Sequence, residues 1–215
     1  MSKVIRFICL ACLLVGALPV MAQQLDAKEI LDRTAATFRQ AGGVQAGFTV
    51  SNYFKGKLQG TSTGTIQLKG EKFYLDAEGV KTWFDGRTQW TYLSNTDEVN
   101  VSEPTAEELQ AINPYTLLYI YKQGYRLKLG KTNTYRGKPA YEVILNASGK
   151  KQDLQCIILY VAKDSFQPLC VSMTQQGGNS AAIQLTSYRT GQDYSDRLFT
   201  FDKKAYPNAE VIDLR

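Results

Sequence analysis

Apolar residues recur along this chain with two different periods, and the switches between them mark its elements. Ile30, Leu31, Ala35 and Phe38 share one face at helical spacing. Asp26 with Glu29 three residues on has the form of a capping box, and Leu25 with Ile30 that of a hydrophobic staple. Gly42-Gly43 is the stop signal. From there the period falls to two. Val44, Ala46, Phe48, Val50 and Phe54 take one face and Gln45, Thr49 and Ser51 the other, which predicts a half-buried strand over 44–54. Lys55-Gly56-Lys57 turns the chain into a strand over 58–68. Further strands are predicted over 72–77, 80–84, 88–93 and 98–102, with Asp85-Gly86 as a two-residue hairpin signal.

The middle of the chain breaks this rhythm. Thr105 and Glu108 form a second capping box, heading a short helix to about 112. Asn113-Pro114 starts another, with an aromatic-rich body over 115–121 that Gly124 stops. Strands resume over 125–129, 140–147, 154–161, 169–174, 181–189 and 198–201. About eleven strands at short spacing predict a mainly β domain with a few α-helices, built as a large antiparallel sheet or barrel. Its apolar face needs cover, and the helices are what the sequence offers.

The N-terminus is of another kind. Lys3 and Arg6 precede an apolar run from Phe7 to Leu18, and Val20-Met21-Ala22 has the form of a cleavage site. The run falls short of the ~20 residues of a spanning helix. We expect a signal peptide over 1–22, export to the periplasm, and a single domain over 23–215. Losing Lys3 and Arg6 takes the formal charge from +5 to +3. The remaining charge is spread out, with Lys150-Lys151 and Lys203-Lys204 as its tight basic pairs. That is no basic stripe, so no nucleic-acid partner is expected.

Composition then narrows the chemistry. The chain has no histidine, which removes the commonest general base and metal ligand. Gly60-Thr61-Ser62-Thr63-Gly64 matches the pattern of a hydrolase nucleophile, but it lies within a strand pattern and lacks a histidine to activate Ser62. Glu107-Glu108 fits a helix start, where acids meet the helix dipole. We expect no enzyme, no metal and no cofactor. Cys156 and Cys170 are placed on neighbouring strands of one hairpin, with the turn near 163–167. An oxidising compartment permits a bridge between them, and the sequence leaves both states open.

Aromatic residues are abundant: 13 Tyr, 9 Phe and 2 Trp, several of them around the mid-chain helices. For any one of them ordinary core is the simpler reading. As a set, a sheet with one apolar face under a small aromatic lid suggests a cavity for an apolar guest. The residues expected to line it are Phe48, Val50, Ile66, Leu68, Phe73, Leu75, Trp83, Trp90, Tyr92, Leu117, Leu118 and Tyr121.

Five segments, in order, resemble the periplasmic outer-membrane lipoprotein carrier family, LolA: QAGFTVSNY, GTIQLKGEKFYL, DGRTQWTY, NPYTLLYI and LFTFDKKAYPNAEVIDLR. The resemblance implies an incomplete antiparallel β-barrel covered by a helical lid. It implies a carrier that shelters the acyl chains of lipoproteins between an inner-membrane export complex and an outer-membrane acceptor; we expect a monomer. The same fold serving as a lipid-binding or envelope-sensing interaction module is the alternative. The family's turn after the second strand carries an arginine and a proline, the arginine being tied to lid movement. Here the turn reads Gly70-Glu71.

Overall fold

A computed structural model describes residues 25–105, 108–109, 119–122, 124–149 and 152–215. The predicted signal peptide and most of the two mid-chain helices, Leu117 and Leu118 among them, lie outside these residues.

Helix α1 spans Ala27–Gln40. Asp26 caps it, its carboxylate accepting the Glu29 N–H at 2.7 Å. Glu29 in turn takes Arg33 one turn on, at 2.6 Å. Among the described residues thirteen strands follow: β1 Gly43–Phe54, β2 Lys57–Lys69, β3 Lys72–Ala77, β4 Val80–Phe84, β5 Gln89–Leu93, β6 Glu98–Ser102, β7 Tyr125–Leu129, β8 Thr134–Tyr135, β9 Lys138–Ala147, β10 Leu154–Ala162, β11 Pro168–Gln175, β12 Asn179–Gln192 and β13 Glu210–Asp213. Twelve of them form one path, β13-β6-β5-β4-β3-β2-β1-β12-β11-β10-β9-β7, with β8 paired to β9. Every pairing is antiparallel except β13 on β6. The sheet curls without closing, so the fold is an incomplete barrel.

Strand β1 is the hinge of this architecture. It pairs β2 along one side and β12 along the other, joining the two halves of the chain. An extra residue in β12 opposite Gly47 and Phe48 breaks the register there, and the Ser187 hydroxyl accepts the Gly47 N–H at 3.0 Å. Such bulges raise local twist and help a sheet to curl.

Two expectations need correction, and the cysteine pairing left open is resolved. The stretch 198–201 is no strand. Asp196–Phe199 forms a 3-10 turn that Ser195 caps, with Phe199 fully buried. The Asp85-Gly86 turn has four residues, 85–88, since Phe84 pairs Gln89 and the Asp85 carboxylate accepts the N–H groups of Arg87 and Thr88. Cys156 and Cys170 do lie on adjacent strands, but both thiols are free. Cys170 faces Tyr160 across the hairpin, four residues from Cys156. That offset is about 13 Å along a strand, beyond the ~7 Å a disulfide spans.

Candidate functional site

The side chains that alternate onto the concave face build one apolar surface across the sheet. Register sets Val50 beside Ile183, Ile183 beside Val171, Val171 beside Leu159, and Leu159 beside Val143. On the other side Ala46 meets Ile66, which meets Leu75. Helix α1 lies over this surface. Its first turns pack with Val143, Leu145, Ile157 and Leu159. Phe38, near its end, packs with Val44, Ile66, Leu68 and Phe73 on the other half of the sheet. Leu31 and Phe38 are seven residues apart, so two helical turns return them to the same face.

Between helix and sheet is a cavity of about 360 Å³, within the range of small-molecule sites. Its walls are Leu31 and Phe38 from α1, Ala46, Phe48 and Val50 from β1, and Ser62, Ile66 and Leu68 from β2. Leu75, Ala77, Leu145, Ile157, Leu159, Pro168, Cys170, Val171, Ile183, Leu185, Tyr188 and Tyr121 complete them. Among the described residues no Asp, Glu, Lys or Arg lines it, so that lining offers hydrocarbon to hydrocarbon. Ser62 stands mid-strand opposite Val50 rather than at a strand-to-helix elbow.

Of the residues expected here, Phe48, Val50, Ile66, Leu68, Leu75 and Tyr121 line the cavity. Phe73 is fully buried in the cluster behind it. Trp83, Trp90 and Tyr92 lie elsewhere. Trp83 pairs Trp90 across β4 and β5, on the face opposite the inward-facing Phe84. These aromatics are covered by the C-terminal segment: Trp83 packs edge-on against Phe201 and Tyr206, at 5.5 and 5.6 Å, and Tyr92 lies 4.7 Å from Tyr206. Period two put them on a common face, but the sheet has two faces and this one is convex. The wall from β9 to β12 was missed. Its alternation was legible, but nothing local says that the sheet curls until Leu159 and Ile183 share a chamber with Phe48.

The described lid residues are tied to α1. The Tyr121 hydroxyl donates to the Asp32 carboxylate, which also holds Lys28 at 2.6 Å. Burial and the neighbouring Asp32 raise the Tyr121 phenol well above its ordinary value. Lys28 and then Tyr121 hold Asp32 below the usual carboxylate range. Arg39 sits 5.8 Å over the Tyr119 ring. Thr105 and Glu108 cap each other, the Thr105 N–H donating to Glu108 at 2.7 Å. Leu109 and Tyr119 pack against the Phe38 cluster. The turn at Gly70-Glu71 is held from elsewhere: Lys69 and Lys72 beside it reach Asp196 at 3.1 and 2.7 Å.

The fold is thus a curled, incomplete antiparallel barrel with an apolar chamber under a helix. The model of the family described as outer membrane lipoprotein carrier protein LolA matches residues 18–178, and the chain belongs to that family. An uncharacterised protein of Methanocaldococcus jannaschii is 21% identical over 181 residues, 83% of this chain and 52% of its own. The chain thus spans about half the length of that relative. An uncharacterised conserved protein from Thermus thermophilus has the same fold, with TM-score 0.60, 17% identity, and coverage of 87% of this chain and 98% of that one. A LolA superfamily protein from Nitrosomonas europaea aligns at TM-score 0.45 and 12% identity, over 83% of this chain and 99% of that one.

Proposed function

We propose that this protein is a periplasmic carrier that holds the acyl chains of lipoproteins in the chamber beneath α1. It shuttles them from an inner-membrane export complex to an outer-membrane acceptor. The observation that carries this reading is a cavity of about 360 Å³ to which no described residue contributes a charged side chain. Burying an acyl chain gains about 0.8 kcal/mol per CH₂, so a lipidated protein in water needs such a chamber. The carrier works as a monomer, and its chemistry is binding and release, with no bond made or broken. Entry requires the lid to part from α1, and the contacts that resist parting are Tyr121 on Asp32 and Tyr119 under Arg39.

The test is mass spectrometry of the protein isolated from the periplasm without detergent. Co-purifying lipoprotein or diacylated lipopeptide is expected. Protein that repeatedly emerges free of any acyl species, from cells that make lipoproteins, would contradict the reading.

A further inference from the structure

The β1–β2 hairpin ends in side chains that solvent does not favour. Phe54 is 45% exposed and Leu58 is 58% exposed. Phe54 shares the strand face of Phe48 and Val50, whereas Leu58 stands opposite Tyr53 on the other face. The tip is therefore apolar on both sides. Between them a two-residue turn, Lys55 at φ 47° and Gly56 at φ 79°, has the left-handed geometry of a tight hairpin. It is braced rather than loose, since the Lys55 N–H donates to the Gly178 carbonyl of the β11–β12 turn at 2.8 Å. Lys55 stands in the turn and Lys57 just after it, with the Lys55 ammonium 5.3 Å from the Phe54 ring. Neither 54–60 nor 175–180 contains an acidic residue.

We propose that this tip docks the protein on an anionic lipid bilayer, inserting Phe54 and Leu58 among the acyl chains while Lys55 and Lys57 meet the phosphates. A flat protein site covers one face of a hairpin. A tip with an apolar side chain on each face fits a medium that surrounds it. Long lysine stems keep their charge at the headgroups while their methylenes lie against the apolar layer. Val50, on the cavity wall, is four residues from Phe54 along one strand, about 13 Å. Docking would bring the chamber close to the membrane that supplies its cargo. That purpose rests on the carrier reading, whereas the contact itself does not.

The test is flotation of the exported protein with vesicles of phosphatidylglycerol and phosphatidylcholine in equal parts, against phosphatidylcholine alone. A fluorescent acyl probe is titrated separately to read the chamber. The protein is expected to float with the anionic vesicles and to dissociate at high salt. Phe54→Asp with Leu58→Asp lowers binding by about tenfold or more, and Lys55→Gln and Lys57→Gln by about fivefold each. All four positions are exposed, so the variants keep the wild-type melting temperature and acyl-probe affinity. Wild-type protein that stays with neither vesicle, or a Phe54→Asp/Leu58→Asp variant that floats like wild type, would overturn the docking proposal. A wild-type chain that floats yet takes up no acyl probe would sink the carrier reading and leave the docking surface standing.

Discussion

Gly64 has no side chain because Phe48 occupies the space one would need. A Cβ there would lie 2.6 Å from the tip of the Phe48 ring, 2.7 Å from the Asp76 carbonyl and 2.8 Å from Ala77 Cβ. The sequence shows this glycine as the end of the Gly60–Gly64 run within a strand, with no partner for it. Its reason is the ring packed across from it, in a pair that register alone reveals. Gly64→Ala is expected to destabilise the fold by about 1–3 kcal/mol through overpacking, and to weaken acyl-probe binding by pushing Phe48 into the chamber. Gly60→Ala, where a Cβ meets nothing within 4 Å, is the control and should change stability by no more than about 1 kcal/mol. Thermal unfolding and probe titration of both variants check this, and equal effects at the two sites would contradict it. Tyr121 and Asp32 make the second residue-scale case. Asp32 is held below its ordinary value by Lys28 and Tyr121. A depressed carboxylate contributes stability above its unfolded pKa and loses it as pH falls through the folded one. The Tyr121–Asp32 contact should thus be intact at neutral pH and be lost only below about pH 4. Tyr121→Phe should cost about 1 kcal/mol at pH 7, since Asp32 is partly exposed. It should speed release of bound acyl probe, and at pH 3 its stability difference from wild type should have shrunk. A difference that stays constant with pH would contradict the link.

At the scale of elements, α1 is the part most fully written in the chain. Its cap, its apolar face and its end all follow from 25–43, and the structure adds only what the face covers. The strands were legible wherever alternation ran five residues or more. They failed at β8 and β13, two and four residues long, and at Asp196–Phe199, where the Ser195 cap and the two lysines on Asp196 favour a turn. Which face a strand turns inward is a matter between elements, and so Trp83, Trp90 and Tyr92 were assigned to the wrong side. The C-terminal segment explains them: Tyr206 and Phe201 sit on these rings while β13 extends the sheet beside β6. Tyr206→Ala should therefore red-shift the tryptophan emission and cost about 2 kcal/mol, less than a fully buried aromatic. Acyl-probe affinity should remain unchanged, because these rings lie on the face opposite the proposed chamber. A variant that binds the probe several-fold more weakly at full folding would place these aromatics in the binding path after all.

The whole molecule is a single curled sheet whose two halves meet at β1, and this closure is what local sequence cannot state. Each strand announced an apolar face, yet the chamber exists because β1 pairs β12 across 140 residues of sequence, with the Gly47–Ser187 bond at the bulge. Among the described residues no cross-link helps to hold it: Cys156 and Cys170 are free thiols. The melting temperature should be the same with and without reductant, and thiol titration of unfolded, unreduced mature protein should count both. A loss of stability on reduction would contradict that arrangement. The central claim is that acyl chains occupy the concave chamber, and site-specific photo-crosslinking in cells tests it most directly. A photoreactive residue placed at Ile183, inside the chamber, should capture lipoproteins through their acyl chains. The same residue at Tyr92, on the convex face, should capture none. Crosslinks from Tyr92 with none from Ile183 would contradict the account.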